Sequence, residues 1–218
     1  MYIGIAGNIG SGKSAMAELL CAEFGFRTFN SCDVENPYLA NFYADMQRWA
    51  LNLQIYFLTK RFKSIQRAMW SDETVVQDRT IYEDAYIFVE NLLTMGLITR
   101  MDYETYRELF EVMVSFIKPP ELLIYLKASV PTLVTHIRQR GLPYENSIGQ
   151  EYLHMLNNKY DDWVDGYQGN ILTIDIDNTD FVNNAADRAR AINAIRGQMP
   201  PAVLKQVEAW KASKGKKA

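Results

Sequence analysis

Gly7–Ser14 reads GNIGSGKS and follows directly on a short apolar run, Tyr2–Ala6 (YIGIA), of strand character. A helix-like run from Ala15 to Phe24 comes straight after it. Each part of this order has a task around a polyphosphate. Gly7, Gly10 and Gly12 let backbone N–H groups curl round phosphate oxygens without side-chain clash, and Asn8, Ile9 and Ser11 complete the amide cradle. Lys13 is placed to bridge the β- and γ-phosphates, and Ser14 offers its hydroxyl to Mg²⁺. The helix N-terminus adds the positive end of its dipole. A plain glycine-rich turn is the alternative, but a G-x-x-x-x-G-K-S run between a strand and a helix is far more specific. The expectation is a chain that binds a nucleoside triphosphate, with Ser14 as a metal contact.

Composition narrows the class. At 218 residues the chain fits one α/β domain with a substantial core. A hydrophobic content of 48% and a charged content of 22% are ordinary for a globular protein. The net charge of −3 argues against a surface built to grip nucleic acid. Two cysteines, Cys21 and Cys32, point to a reducing compartment rather than a disulfide framework. The residues before the glycine-rich loop do not read as a signal peptide, and no apolar stretch is long enough to span a bilayer. These features together lead to the expectation of a cytoplasmic protein with no membrane partner.

Apolar, β-rich runs recur at 2–6, 27–31, 74–78, 121–126 and 170–175. Helix-like sequence follows each, at 13–24, about 46–70, 84–95, 102–117, 131–140, 148–166 and 183–197. This alternation predicts an α/β fold, a mostly parallel five-stranded sheet with helices on both faces. Asp45, Asp102 and Pro131 read as helix starts. Residues 1–197 read as a single domain, and 198–218, which opens Pro-Pro and ends KASKGKKA, as a basic, flexible tail.

Three further segments carry candidate chemistry. WALNLQIYFLTKRF (49–62) is apolar nearly all round and predicts a buried helix. On it Gln54 and Arg61 lie two turns apart on one face, where an amide and a guanidinium could hydrogen-bond a planar heterocycle. A core amide and a solvated helix-end charge are the plainer alternatives. In TVVQDRTIYEDAYIF (74–88), Asp78 and Arg79 fall at the end of a buried strand, where α/β sheets place their sites. Asp78 is the expected second Mg²⁺ contact, and Asp84 is either an N-cap or the acidic partner of Arg61. In HIRQRGLPYENSIGQEYL (136–153), Arg138 and Arg140 end a helix at Gly141. Dipole complementarity alone explains such arginines, and a lid closing over the transferred phosphate is the functional alternative.

Taken in order, GNIGSGKS, ENPYLANFY, RWALNLQIYFL, QDRTIYEDAYIF, the RG…E lid and TIDIDNTDF resemble the deoxyribonucleoside kinase family, in particular its bacterial members acting on purine deoxynucleosides. The resemblance runs from about Tyr2 to Arg190 and implies a P-loop kinase fold with a lid. It also implies transfer of the γ-phosphate of ATP to the 5′-hydroxyl of a deoxynucleoside, usually by a homodimer. It places Tyr43 and Glu145 on the sugar 3′-hydroxyl, Gln54 on the base edge, and Phe88 stacked against the base. Arg61 and Asp84 match a pair kept by purine and cytosine kinases. Arg79 matches the arginine beside the 5′-oxygen, Arg140 a lid arginine, and Phe181 falls in the adenine-binding segment. Two departures stand out. Counted back from Asn36-Pro37, the family's general-base glutamate falls on Ser31, or on Cys32 with a one-residue gap. Asp33 is the nearest carboxylate that could substitute, and Glu35 is a weaker one. In the lid, His136 and Leu142 stand where the family often has arginine, with Arg138 as the expected compensation. The expected activity is an ATP- and Mg²⁺-dependent kinase for deoxyadenosine or deoxyguanosine. The alternatives are a non-catalytic nucleotide-binding protein of this fold and a nucleoside monophosphate kinase.

Overall fold

A computed structural model describes residues 1–29 and 36–215. Among these, five strands form one sheet: β1 (Tyr2–Ala6), β2 (Arg27–Phe29), β3 (Val75–Asp78), β4 (Leu122–Lys127) and β5 (Ile171–Asp175). Every pairing is parallel, in the order β2-β3-β1-β4-β5. The continuous apolar character of β1 and β4 suits strands covered on both faces. Ile5 of β1 lies opposite Asp78 of β3 and Ile124 of β4. The loop after β1 and the corner after β3 therefore leave the sheet side by side at its carboxyl edge, where such sheets bind ligands.

The helices are α1 (Lys13–Phe24), α2 (Leu39–Ala44), α3 (Met46–Met69), α4 (Ile81–Glu83), α5 (Val89–Thr94), α6 (Arg100–Val114), α7 (Val130–Arg140), α8 (Gln150–Asp165), α9 (Ala185–Gly197) and α10 (Pro201–Gly215). A π-helical turn, Asp84–Phe88, joins α4 to α5, and a 3₁₀ turn, Pro143–Ser147, sits between α7 and α8. One core packs the sheet against α1, α7, α8, α9 and α10. A second lies among α2, α3, the 81–94 helix and α6.

Several expectations change. Asp45 does cap α3, accepting from the Arg48 amide at 3.1 Å. Asp102 is not a start: Thr99 caps α6, and Asp102 closes a capping box from the third helical position. Asp84 is no N-cap either, because Thr80 starts that helix and Asp84 lies inside it. The buried residues of α3 form one stripe, Ala50, Leu53, Gln54, Phe57, Leu58, Arg61, Ile65 and Ala68, while Ile55 and Met69 are exposed. The expected flexible tail is instead a helix. Pro201 opens α10, Val203 and Val207 are buried, and Lys211 donates to Glu23 at 2.5 Å. No helix of the described residues is long and apolar enough to cross a membrane.

Candidate active site

The glycine-rich loop has the backbone its sequence demands. Gly7, Gly10 and Gly12 all have positive φ, at 150°, 85° and 93°. At Gly10 a β-carbon would also stand 2.8 Å from the Leu133 carbonyl, so only glycine fits. The Asn8 side chain turns away from the loop's mouth and donates to the Leu153 carbonyl and to Asn157 Oδ1, at 3.0 and 2.6 Å. Its own Oδ1 accepts from the Ile9 amide at 2.7 Å. Asn8 thus fixes the loop to α8 and leaves the backbone to face the ligand. Lys13 folds its ammonium back onto the Asn8 carbonyl at 2.7 Å.

Beside the loop, the Ser14 hydroxyl donates to Asp78 Oδ2 at 2.5 Å. A hydroxyl and a carboxylate side by side at the phosphate loop form a fitting pair of contacts for Mg²⁺, which takes few protein oxygens and completes its shell with phosphate and water. The next residue, Arg79, is the one described non-glycine residue with positive φ, 64°. Such a conformation for a long side chain needs support. Arg61 provides it, since one guanidinium nitrogen donates to the carbonyls of both Asp78 and Arg79, at 3.3 and 3.1 Å. The Arg61 Nε donates to Asp84 Oδ2 at 2.5 Å. Arg61 was expected in the pocket itself; it lies behind Asp84 and holds the strand corner in shape.

A cleft opens from this corner. Its walls include Tyr43, Gln54, Arg79, Asp84, Phe88 and Glu145, so five of the six expected substrate residues meet there and the sixth, Arg61, backs one of them. The π turn brings both Asp84 and Phe88 to this wall, as π turns often do at working sites. The Arg79 guanidinium lies 4.2 Å from the Phe88 ring centre. Gln54 is buried, and its Oε1 has no hydrogen-bond partner among the described residues. Burial pushes the Asp84 carboxyl up, Arg61 and Arg79 pull it down, and the balance stands at about 6. Burial also raises Tyr152, on the cleft wall, to about 12, which keeps its hydroxyl protonated.

The lid residues separate into two groups. Arg140 pairs with buried Glu145 through both nitrogen-bearing arms, Nε to Oε2 at 3.0 Å and a shorter contact to Oε1. Tyr144 in the 3₁₀ turn stacks on Tyr43 of α2, centres 5.9 Å apart and planes at 12°. Arg138, expected to act beside Arg140, is exposed and lines neither this cleft nor the next. His136 contacts the loop directly, its Nδ1 2.8 Å from the Gly10 carbonyl.

A second and larger cavity is lined by Gly12, Thr132, His136, Asp177 and Phe181 among others. Phe181 is buried against the loop, where a β-carbon on Gly12 would stand 3.3 Å from its ring. Gly10, Ser14 and Arg140 line both cavities, so the two meet at the phosphate loop. Ser31, Cys32, Asp33 and Glu35 lie outside the described residues. Sequence reading passed over Leu39, Phe42, Tyr144 and Tyr152 on the cleft wall, and over Glu83 beneath the loop. Glu83 had a visible signal, the T-x-x-E spacing from Thr80.

A sequence model of the family described as deoxynucleoside kinase matches residues 3–199. The chain is 36% identical over 185 residues to a deoxyadenosine/deoxycytidine kinase of Bacillus subtilis (strain 168), covering 84% of this chain and 85% of that protein. It is 31% identical over 194 residues to a deoxyguanosine kinase of the same organism, covering 87% and 93%. The solved structure of deoxyadenosine kinase from M. mycoides with bound dATP matches at a TM-score of 0.79 and 28% identity, over 90% of this chain and 99% of that one. The parallel sheet with its glycine-rich loop is the P-loop kinase fold. By fold, by loop and by sequence across 197 of its positions (3 to 199), this chain belongs to the deoxynucleoside kinase family.

Proposed function

We propose that the protein transfers the γ-phosphate of ATP to the 5′-hydroxyl of a purine deoxynucleoside, deoxyadenosine or deoxyguanosine, in a Mg²⁺-dependent reaction. The observation that carries this reading is the junction of two cavities at one phosphate loop. A donor in the larger cavity, beside Phe181, and an acceptor in the smaller one bring γ-phosphorus and 5′-oxygen together next to Ser14, Asp78 and Arg79. The 5′-oxygen bonds to phosphorus as the bond from phosphorus to the β–γ bridging oxygen breaks. Such a transition state needs positioning and charge neutralisation more than covalent help. Lys13, Arg79 and Arg140 supply positive charge, Ser14 and Asp78 would hold the Mg²⁺, and Asp33 is the proposed base. In the smaller cavity Gln54 and Asp84 offer acceptors to the exocyclic amino group of a base, Phe88 offers a ring face, and Tyr43 and Glu145 take the sugar. The relatives' names support the purine assignment, since one acts on deoxyguanosine and one on deoxyadenosine and deoxycytidine.

The working form is proposed to be a homodimer in the cytoplasm. Met101, Leu109, Val112 and Phe116 are exposed along one side of α6 and its C-terminal extension, next to α3 with exposed Ile55. The activity is tested by an ATP-consumption assay over the four deoxynucleosides with and without Mg²⁺. Turnover is expected with deoxyadenosine or deoxyguanosine, and absence of turnover with all four overturns the reading. In the same assay Asp33→Asn is expected to lower kcat by about a hundredfold or more. An unchanged rate, together with a gain from Ser31→Glu, removes Asp33 from the role.

A further inference from the structure

The run Thr80-Ile81-Tyr82-Glu83 forms a capping box, in which Glu83 normally does no more than close its own helix turn. Here its carboxylate reaches much further. Glu83 is wholly buried. Oε2 accepts from the Thr80 amide at 2.6 Å and from the Thr80 hydroxyl at 3.1 Å. Oε1 accepts from the Tyr160 hydroxyl at 2.8 Å and from the Gly7 amide at 3.2 Å. Gly7 is the first residue of the phosphate loop, Thr80 directly follows Arg79, and Tyr160 belongs to α8, the helix after the lid turn. Sequence spacing to these partners is 76 or 77 residues for two of them, so local helix capping accounts for only half the bonds.

The surroundings are shaped to bring this carboxylate in. A β-carbon on Gly4 of β1 would stand 2.6 Å from the Thr80 methyl, so glycine at that position lets Thr80 and Glu83 press against β1. Burial, with Glu83 beside it, raises the Tyr160 hydroxyl well above its ordinary range, so Tyr160 stays a donor. A buried carboxylate is costly unless hydrogen bonds satisfy its oxygens, and here both are satisfied. From the standpoint of phosphate binding a negative charge under the loop is unhelpful. Its value must lie in geometry.

We infer that Glu83 is a positioning residue for phosphoryl transfer, tying the start of the phosphate loop to the Arg79 corner and to the lid helix. One carboxylate thereby sets the distance between the groups that hold the donor and the arginine that faces the acceptor. The inference rests on the kinase reading above, so its test includes a measurement that needs no turnover. Glu83→Gln keeps the size but turns one acceptor atom into a donor, which faces either the Thr80 or the Gly7 amide. It also removes the negative charge, and electrostatics alone would then strengthen donor binding. The expected result is the opposite in rate: kcat falls at least tenfold while the nucleoside KM stays within about twofold. Hydrogen exchange at the amides of residues 7–14 speeds up by about tenfold. Tyr160→Phe and Thr80→Val each remove one bond to the carboxylate, Thr80→Val also losing the N-cap bond from the Glu83 amide, and show smaller changes of the same kind, and Tyr160→Phe is non-additive with Glu83→Gln. These two carry the test where Glu83→Gln does not fold. Ile65→Ala, a core change at the far end of α3, lowers stability without slowing turnover or loosening the loop amides selectively. Wild-type protection of 7–14 in the Glu83→Gln variant overturns the inference, whatever the kinase assay shows. So does a loss of kcat that only tracks the unfolded fraction, as in Ile65→Ala.

Discussion

Asp84 carries opposing loads. Burial favours its neutral form, Arg61 and Arg79 favour the charged one, and the carboxyl settles at about 6 against an ordinary 3.8. As a proposed acceptor for a base amino group it works best ionised. As the pH falls through 6, kcat/KM for the nucleoside is therefore expected to drop by about tenfold or more, the worth of a hydrogen bond to a charged group. The ratio reports the free enzyme, where this titration occurs. Asp84→Asn is expected to be low throughout and to lack the inflection near 6. Stability runs the other way. The folded chain holds the proton more tightly than the unfolded one, so Asp84's contribution is full below about 4 and is lost as pH rises through 6. Denaturant midpoints of wild type and Asp84→Asn are thus expected to diverge in favour of the variant between pH 4 and 6. A constant offset across that range counts against the assignment.

At the scale of elements, the loop–helix–strand grammar was plain in the sequence because each piece repeats a local rule. Glycines sit where φ is positive, apolar runs sit where strands are buried, and Gly141 ends α7 in a left-handed cap. What local rules cannot show is where a buried polar group finds its partner. Arg61 was readable as a partner of Asp84 but not as the support of the Asp78 and Arg79 carbonyls, because that contact depends on how α3 crosses β3. The π turn was hidden for a related reason: an Asp84–Phe88 run looks the same in an ordinary helix. The final helix was misread by composition. Lysines in its last turns outweighed an apolar pattern at Val203, Val207 and Trp210, spaced four and three apart. Trp210 closes on the C-cap of α1, where a β-carbon on Gly25 would stand 2.3 Å from its ring and φ is 71°. Trp210→Ala is expected to cost about 1–2 kcal/mol, for a half-buried ring, and to lower Tm by a few degrees with kcat unchanged. Gly25→Ala, which combines strain with overlap, is expected to cost more. Calorimetry on both variants checks the order, and equal melting temperatures for wild type and Trp210→Ala would return the segment to a loose tail.

At the scale of the whole molecule, the two cavities lie at the carboxyl edge of the sheet, and α6 lines neither of them. Its exposed apolar side is therefore not accounted for by chemistry in one chain. Met101, Thr105, Leu109 and Val112 fall within one narrow arc of the helix, and Phe116 continues it just beyond the end. A stripe of this kind beside a second helix is self-complementary when two copies meet about a two-fold axis, each α6 lying along the other. Glu108 and Glu111 lie along one border of the arc and keep that rim polar. A charge at the centre of such a stripe would be buried without a partner in the dimer but harmless in a free chain. Val112→Glu is thus expected to shift the protein from twice the monomer mass to the monomer mass in light scattering, at micromolar concentration. Because the cavities are formed within one chain, the separated variant is expected to keep kcat within about twofold. A wild type that runs as a monomer rejects the dimer. A variant that stays dimeric moves the interface away from α6.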